Sequence, residues 1–313
     1  MDDARCDAKG FVSGCDGCAV GGNGVNAALD RIAKHGRCYK DPIAAIDWRS
    51  ADAERPWLPR GLLLGHESQV PIRADQFIAL SRAEYARLCA AGLWLEGLLI
   101  NRVTASGLLD VDTEEARVML QEIREETGHS LMFLEMIDRA GHDDRPRLEG
   151  TRLLTAIAKR LHIETAEFWA MVFIGETVTD TFAKKALKLA DSSDDAICPV
   201  AEQVLALHHR EEARHIAAAR QFLAARISKM NRHRRWIFAR TLHWLLNLFL
   251  EATMYPSLES LYRAGVTDAD ILFHRLRRDP WRQKVAVACA TPAVSLLTRE
   301  GLMSAVQLAQ REA

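Results

Sequence analysis

The segment HHREEARH, residues 208 to 215, places three imidazoles and two carboxylates within about two helical turns. A solvated helix face ordinarily pairs Glu with Lys or Arg one turn away, so this density of metal-binding groups needs another explanation. At about 100° per residue, His208, Glu212 and His215 share an arc of about 60°, while Glu211 and His209 fall outside it on opposite sides. Glu212 and His215 form E-x-x-H, the spacing by which one helix offers a carboxylate and an imidazole to one metal centre. REETGH at 124–129 repeats the pattern with Glu126 and His129, again with a Glu immediately before.

Two such pairs on separate helices are half of a two-metal carboxylate site, which also needs one Glu from each of two further helices. Glu96 stands in LCAAGLWLEGLLI, thirty residues before Glu126, and Glu176 in WAMVFIGETV, thirty-six before Glu212. Each is nearly alone in an apolar stretch, where an unpaired ionised carboxylate is costly to bury, so both require a cation. A core salt bridge to Arg explains either one singly, but it would have to occur twice, each time on the helix before an E-x-x-H. Glu164 and Glu167 compete with Glu176; they point about 120° and about 180° away from it, near a polar helix start. Asp180, one turn after Glu176, is a candidate acceptor for a metal-bound imidazole, with a plain surface position as the alternative. Oxygen and nitrogen donors in this number suit iron or manganese better than a closed tetrahedral zinc site.

The elements that must position these groups read as long helices: Ser81 to Leu108, Thr113 to Ala140, Thr151 to Ala190 and Pro199 to Asn231. The expected fold class is all-α, a ferritin-like four-helix bundle core with additional C-terminal helices. Residues 1–45 read as a flexible or irregular tail. Residues 46–313 read as one domain, with ligand helices at about 81–231 and C-terminal helices at 232–313. The apolar stretch Trp236 to Tyr262 is long enough to span a membrane, but Arg240, His243 and Glu251 are costly in hydrocarbon. A buried helix at a homodimer interface is expected instead.

With 313 residues, 49% of them hydrophobic, and a net charge of -1, the chain can fill a large core and carries no basic field for nucleic acid or anionic lipid. Seven cysteines are an odd number, and no signal-peptide pattern opens the sequence, so a reducing cytoplasm is the expected compartment. CDGC at 15–18 has the spacing of a zinc half-site or redox pair but lacks a second C-x-x-C, and a flexible tail is the better reading.

Several kinds of two-metal protein share the six-residue pattern. Ferritin-type storage needs a chain of about half this length. The radical-generating subunit of ribonucleotide reductase carries a tyrosine one turn after the first E-x-x-H, where Phe133 stands here. Soluble acyl-carrier desaturases share both pairs but use no histidine four residues before the second Glu. His208 holds that position and completes H-x-x-x-E-x-x-H on the last ligand helix. On this motif the sequence resembles the p-aminobenzoate N-oxygenase family, the AurF-like diiron oxygenases. The other positions match residue by residue over roughly 80–230, so the resemblance implies seven ligands: Glu96, Glu126, His129, Glu176, His208, Glu212 and His215.

The resemblance also implies an oxidoreductase, a diiron N-oxygenase of the monooxygenase type, that takes an amine through hydroxylamine and nitroso stages to a nitro product in a biosynthetic pathway. The cofactor would be two iron ions, oxo- or peroxo-bridged, with manganese as the alternative metal. The partners would be dioxygen, a small amine (free or carrier-bound) and an external electron donor, since no flavin or nicotinamide fingerprint is present. No catalytic residue beyond the metal ligands is assigned. A diiron C-hydroxylase, a desaturase or a non-catalytic iron-binding protein of the same fold is the alternative. Arg277 and Arg278 in FHRLRRDPWRQ suit a carboxylate, although a solvated helix end explains them more simply, and substrate-binding residues stay unassigned.

Overall fold

The computed structural model describes residues 22–36, 39–65, 71–108, 111–141, 151–191 and 196–303. Among the described residues the chain is helical and contains no strand. Three helices lead in: α1 (Gly22–His35), α2 (Pro42–Ala45) and α3 (Arg60–Leu64). The bundle follows as α4 (Ala74–Thr104), α5 (Thr113–Arg139), the short α6 (Thr151–Ala158), α7 (Ala166–Ala190) and α8 (Pro199–Ile227). A C-terminal layer contains α9 (Arg232–Thr253), α10 (Leu258–Arg263), α11 (Ala269–Arg278) and α12 (Pro280–Arg299). The CDGC pair lies outside the described residues.

The long helices pack closely as α4 with α5 and α7 with α8; the two pairs then meet more sparsely, α5 against α8 and α4 against α7. Their starts are set by local chemistry. Asp112 caps α5 by accepting from the Glu114 amide, and Thr165 caps α7 by accepting from the Phe168 amide. Pro199 opens α8, where its missing N–H costs nothing.

Two expected helices are each broken in two. Residues 151–190 divide into α6 and α7, because Thr165 ends the intervening turn by donating to the His162 carbonyl while Trp169 Nε1 donates to that of Ile163. The stretch from Trp236 to Tyr262 divides at Pro256, which lacks an N–H and disfavours helical backbone at Tyr255. Residues 22–35 correct the expectation of an irregular tail over 1–45. Leu29, Ile32 and Ala33, at i, i+3 and i+4, are buried where α1 meets α5 and α8. The segment after α1 sits in a notch on α5: a Cβ on Gly128 would come within 2.7 Å of the Tyr39 hydroxyl and 2.9 Å of Pro42 Cδ.

α9 buries Phe238, Leu242, Leu246 and Phe249 and leaves Trp236, Ile237 and Trp244 exposed. Among the described residues, no helix is long and apolar enough to cross a membrane. Where α9 ends, two buried arginines hold the backbone. Arg87 donates to the carbonyls of Ala252, Thr253 and Tyr255 while pairing with Glu84, and Arg282 donates to those of Met254 and Leu62.

Two glycines of α4 give a test of the packing. A Cβ at Gly92 would lie 2.4 Å from Phe133 Cε2, whereas one at Gly97 meets nothing within 4 Å. Gly92→Ala should lower unfolding stability by about 1–3 kcal/mol through overpacking. Gly97→Ala should raise it by about 0.5–1 kcal/mol through helix propensity alone. Denaturant unfolding of both variants checks the pair.

Candidate metal centre

The residues picked out by spacing come from four helices: Glu96 from α4, Glu126 and His129 from α5, Glu176 from α7, and His208, Glu212 and His215 from α8. The apolar faces of these helices turn inward and carry the polar groups with them. Six of the seven are at most 2% exposed, and the His208 side chain is 12% exposed. Donor atoms of Glu126, His129, Glu212 and His215 all lie within 4.8 Å of one another, and so do those of Glu96, His129 and His208. Glu176 stands outside both groups, with its carboxyl facing Glu212.

Within the cluster, the His129 Nδ1 atom lies 3.4 Å from Glu126 Oε2, 3.7 Å from Glu212 Oε1 and 3.8 Å from Glu96 Oε1. His215 Nδ1 lies 2.9 Å from Glu126 Oε1 and 3.6 Å from Glu212 Oε1. His208 Nε2 lies 2.9 Å from Glu212 Oε1. These atoms converge without forming regular hydrogen bonds. Both oxygens of Glu126 and of Glu212, one oxygen each of Glu96 and Glu176, and Nδ1 of His129 and His215 are buried without a hydrogen-bond partner. That many unsatisfied donors and acceptors in one place is untenable for an empty core, and it is what a bound cation relieves.

The far sides of the two imidazoles are held in a crossed arrangement. His129 Nε2 donates to Glu211 at 2.7 Å and His215 Nε2 to Glu125 at 3.1 Å, so each ring is fixed by the Glu that precedes the E-x-x-H of the other helix. This leaves Nδ1 of each ring directed at the cluster. Glu125 is itself paired with Arg124 and Arg214. Ser130 donates to Glu96 Oε2 at 2.5 Å and leaves Oε1 facing inward. Sequence reasoning missed Glu125, Glu211 and Ser130 in these roles; the signal for the first two was the doubled Glu in both REETGH and REEARH. Asp180 does not hold a candidate ligand: it accepts from Nδ1 of His209, whose side chain is 35% exposed. Glu164 and Glu167 are accounted for by ion pairs, at 3.1 Å with Arg226 and 2.8 Å with Arg234.

The electrostatics divide the carboxylates. Burial, reinforced by repulsion from Glu126 and Glu212 respectively, pushes Glu96 and Glu176 well above the ordinary carboxylate range. Burial opposes the charge on Glu126 and Glu212 too, but His215 on the first and His208 on the second hold them below it. Burial likewise opposes a charged His129, yet its bonds to Glu126 and Glu211 push it up to about 10. Without a metal, then, the site stores protons. Four carboxylates with three neutral imidazoles would balance two divalent cations, so the residues present fit a metal pair.

The sequence pattern of the family described as p-aminobenzoate N-oxygenase AurF matches residues 24–301. The chain belongs to the AurF family. Among curated proteins it is similar to uncharacterised proteins of Mycobacterium bovis (strain ATCC BAA-935 / AF2122/97) and of two Mycobacterium tuberculosis strains, CDC 1551 / Oshkosh and ATCC 25618 / H37Rv. Each is 29% identical over 215 residues, covering 63% of this chain and 60% of the relative, so the match spans under two thirds of their length. Among solved structures it resembles R2-like ligand-binding oxidase. A form with a Mn/Mn cofactor aligns at 12% identity and TM-score 0.45 over 90% of this chain and 93% of that one. A Mn/Fe form aligns at 13% and 0.46 over 90% and 93%.

In this AurF-family chain an apolar cavity opens against Glu96, Glu176 and His208, walled by Leu88, Leu95, Phe133, Phe182 and Met254 among others. Phe133, one turn after His129, sets its ring 5.1 Å from that of His208 and tilted by 54° to it. Arg277 is engaged with Glu251 and the Phe273 ring, and neither it nor Arg278 lines this cavity.

Proton storage sets the pH dependence of metal uptake. Glu96, Glu176, His129 and His215 all have raised affinities for protons, so at neutral pH the metal-free site holds protons that a cation must displace. Loading two divalent ions per chain should release protons, and affinity should fall as pH drops from 7 towards 5, by about tenfold per pH unit for each proton released. Calorimetric titration of Fe(II) or Mn(II) in buffers of different ionisation enthalpy counts those protons directly.

Proposed function

We propose that this chain is a non-haem two-metal oxygenase that uses dioxygen to oxidise an amine at nitrogen. The observation that carries the reading is the convergence of six donor residues, His208 among them, with Glu176 facing Glu212 beside them, against an apolar cavity in a chain of the AurF family. Glu96, Glu126, His129, Glu176, His208, Glu212 and His215 are the proposed ligands, with iron as the proposed metal and manganese the alternative. When bound, the metal pair supplies the binding and activation of dioxygen.

The protein's own part is positioning. Glu125 and Glu211 accept hydrogen bonds from the Nε2–H groups of His215 and His129, which keeps both rings in the tautomer whose Nδ1 lone pair faces inward. Ser130 fixes Glu96. Phe133, Phe182 and Leu88 exclude water from the cavity and restrict the amine to the end where Glu96, Glu176 and His208 stand. The first turnover balances as amine, dioxygen, two electrons and two protons giving hydroxylamine and water. The electrons come from an external protein or small-molecule reductant; further turnovers lead to nitroso and nitro products. A homodimer is part of the proposal, supported by the exposed Trp236, Ile237 and Trp244 on α9. A reducing, cytoplasmic setting accords with the free thiols of Cys89, Cys198 and Cys289.

The deciding experiment incubates metal-loaded protein, reductant and dioxygen with a panel of arylamines and aliphatic amines. Mass spectrometry should find oxygen added at nitrogen. Addition at carbon, loss of two hydrogens, or oxygen consumption with no organic product would each replace N-oxygenation by hydroxylation, desaturation or scavenging.

His208 and its neighbour His209 separate ligand from bystander. His208 joins Glu96 and His129 in a ligand-competent group, whereas His209 turns to Asp180. His208→Ala should leave a site that still takes up metal but oxidises the amine about 10–100-fold more slowly, the scale on which a perturbed metal site loses activity. His209→Ala should stay within about twofold of the parent, as a part-exposed side chain away from the cluster. Steady-state rates together with the absorption spectrum of the iron-loaded variants check both.

A further inference from the structure

We infer that the substrate of this chain is an uncharged, apolar amine without a carboxylate, and that Leu95 separates its chamber from a second apolar cavity. The inference rests on the N-oxygenase reading above for the chemistry, but on the cavity alone for the class of ligand.

Apart from His208, a candidate metal ligand, the chamber's polar side chains have nothing to offer an anion. Tyr85 donates its hydroxyl proton to the Ala201 carbonyl at 3.1 Å, and Thr179 donates to the Gly175 carbonyl at 2.9 Å. The Cys89 thiol is kept neutral by burial. Glu96 and Glu176 would repel a carboxylate or, when metal-bound, have their charge consumed by the metal. Among the described residues, no Lys or Arg lines the chamber. The buried arginines behind its Met254 wall, Arg87 and Arg282, direct their guanidinium groups at backbone carbonyls. A carboxylate placed away from His208 and the metal ions, where the ring substituent of an amine bound at the metals would lie, would lose its water and gain no donor.

The side wall of the chamber depends on one side chain. Leu95 lines both this chamber and a second apolar cavity, with an empty volume of about 390 Å³, bounded by Trp94, Met171, Ile174 and Leu246 among others. Leu95 fills the space that Gly175 leaves: a Cβ on Gly175 would come within 2.4 Å of Leu95 Cδ2. The isobutyl group therefore stands as the partition between two voids that would otherwise join.

Equilibrium binding to metal-loaded protein without reductant tests this, since no turnover is needed. By calorimetry, p-toluidine should bind at least tenfold more tightly than p-aminobenzoate, which has nearly the same shape but a charge in place of the methyl group. Leu95→Ala should raise the affinity of p-butylaniline relative to p-toluidine by about tenfold or more, because the longer chain enters the second cavity. Leu95→Val, a smaller change, should move the ratio in the same direction and serves if the alanine variant does not fold. Equal or tighter binding of p-aminobenzoate overturns the neutral-substrate assignment, and an unchanged ratio in both variants overturns the role of Leu95. If neither arylamine binds, the cavity is not the substrate chamber and the inference fails. The N-oxygenase reading is judged separately, by product mass, and can survive each of these failures.

Discussion

Four carboxylates, buried at most 2% exposed in the middle of an apolar bundle, are the constraint on which this structure depends. Like charges at this depth cannot all ionise unaided. In the metal-free protein burial raises the proton affinity of Glu96 and Glu176 while imidazoles sit beside Glu126 and Glu212, and lone pairs are left unsatisfied. The fold must therefore be stable enough to hold an arrangement that is unfavourable until cations arrive. The extensive apolar packing of α4, α5, α7 and α8, with α1 and the C-terminal helices wrapped around them, provides that reserve.

The crossed support of the imidazoles ties the two ligand pairs into one unit. Because Glu211 on α8 fixes His129 on α5, and Glu125 on α5 fixes His215 on α8, displacement of either helix disturbs both rings. The tight contacts lie within each helix pair and the sparse ones between the pairs, so the metal-facing side chains carry much of the connection across the gap. Ion pairs from Arg124 and Arg214 to Glu125 extend this network to the edge of the bundle.

Much of this was legible in the sequence because charge burial and helical periodicity leave strong marks. The positions of Glu96 and Glu176 stood out as isolated acids in apolar helices, and both lie at the cluster. The all-α architecture followed from the same periodicity. Where the sequence reading fell short, the missing information was tertiary. Asp180 shares a helical face with Glu176, but which imidazole it meets depends on the rotation of α8, and it meets His209. Helix α1 was hidden by the Gly-rich stretch before it, although Leu29, Ile32 and Ala33 carry a helical spacing once a partner surface exists. The break at Pro256 was visible as a residue; its role in shaping a cavity was not.

That break has a consequence for how such proteins diversify. Met254 sits on a turn rather than on a helix that carries candidate ligands, and the turn is pinned by Arg87 and Arg282 through its main-chain carbonyls. The Met254 side chain can be exchanged without touching either the pins or the candidate ligands, whereas Tyr255 beside it packs its ring against Arg282. On the proposed function, inheritance of the oxygen chemistry is thereby uncoupled from inheritance of substrate shape, and a descendant can change what it accepts by altering Met254 while keeping its candidate ligands intact.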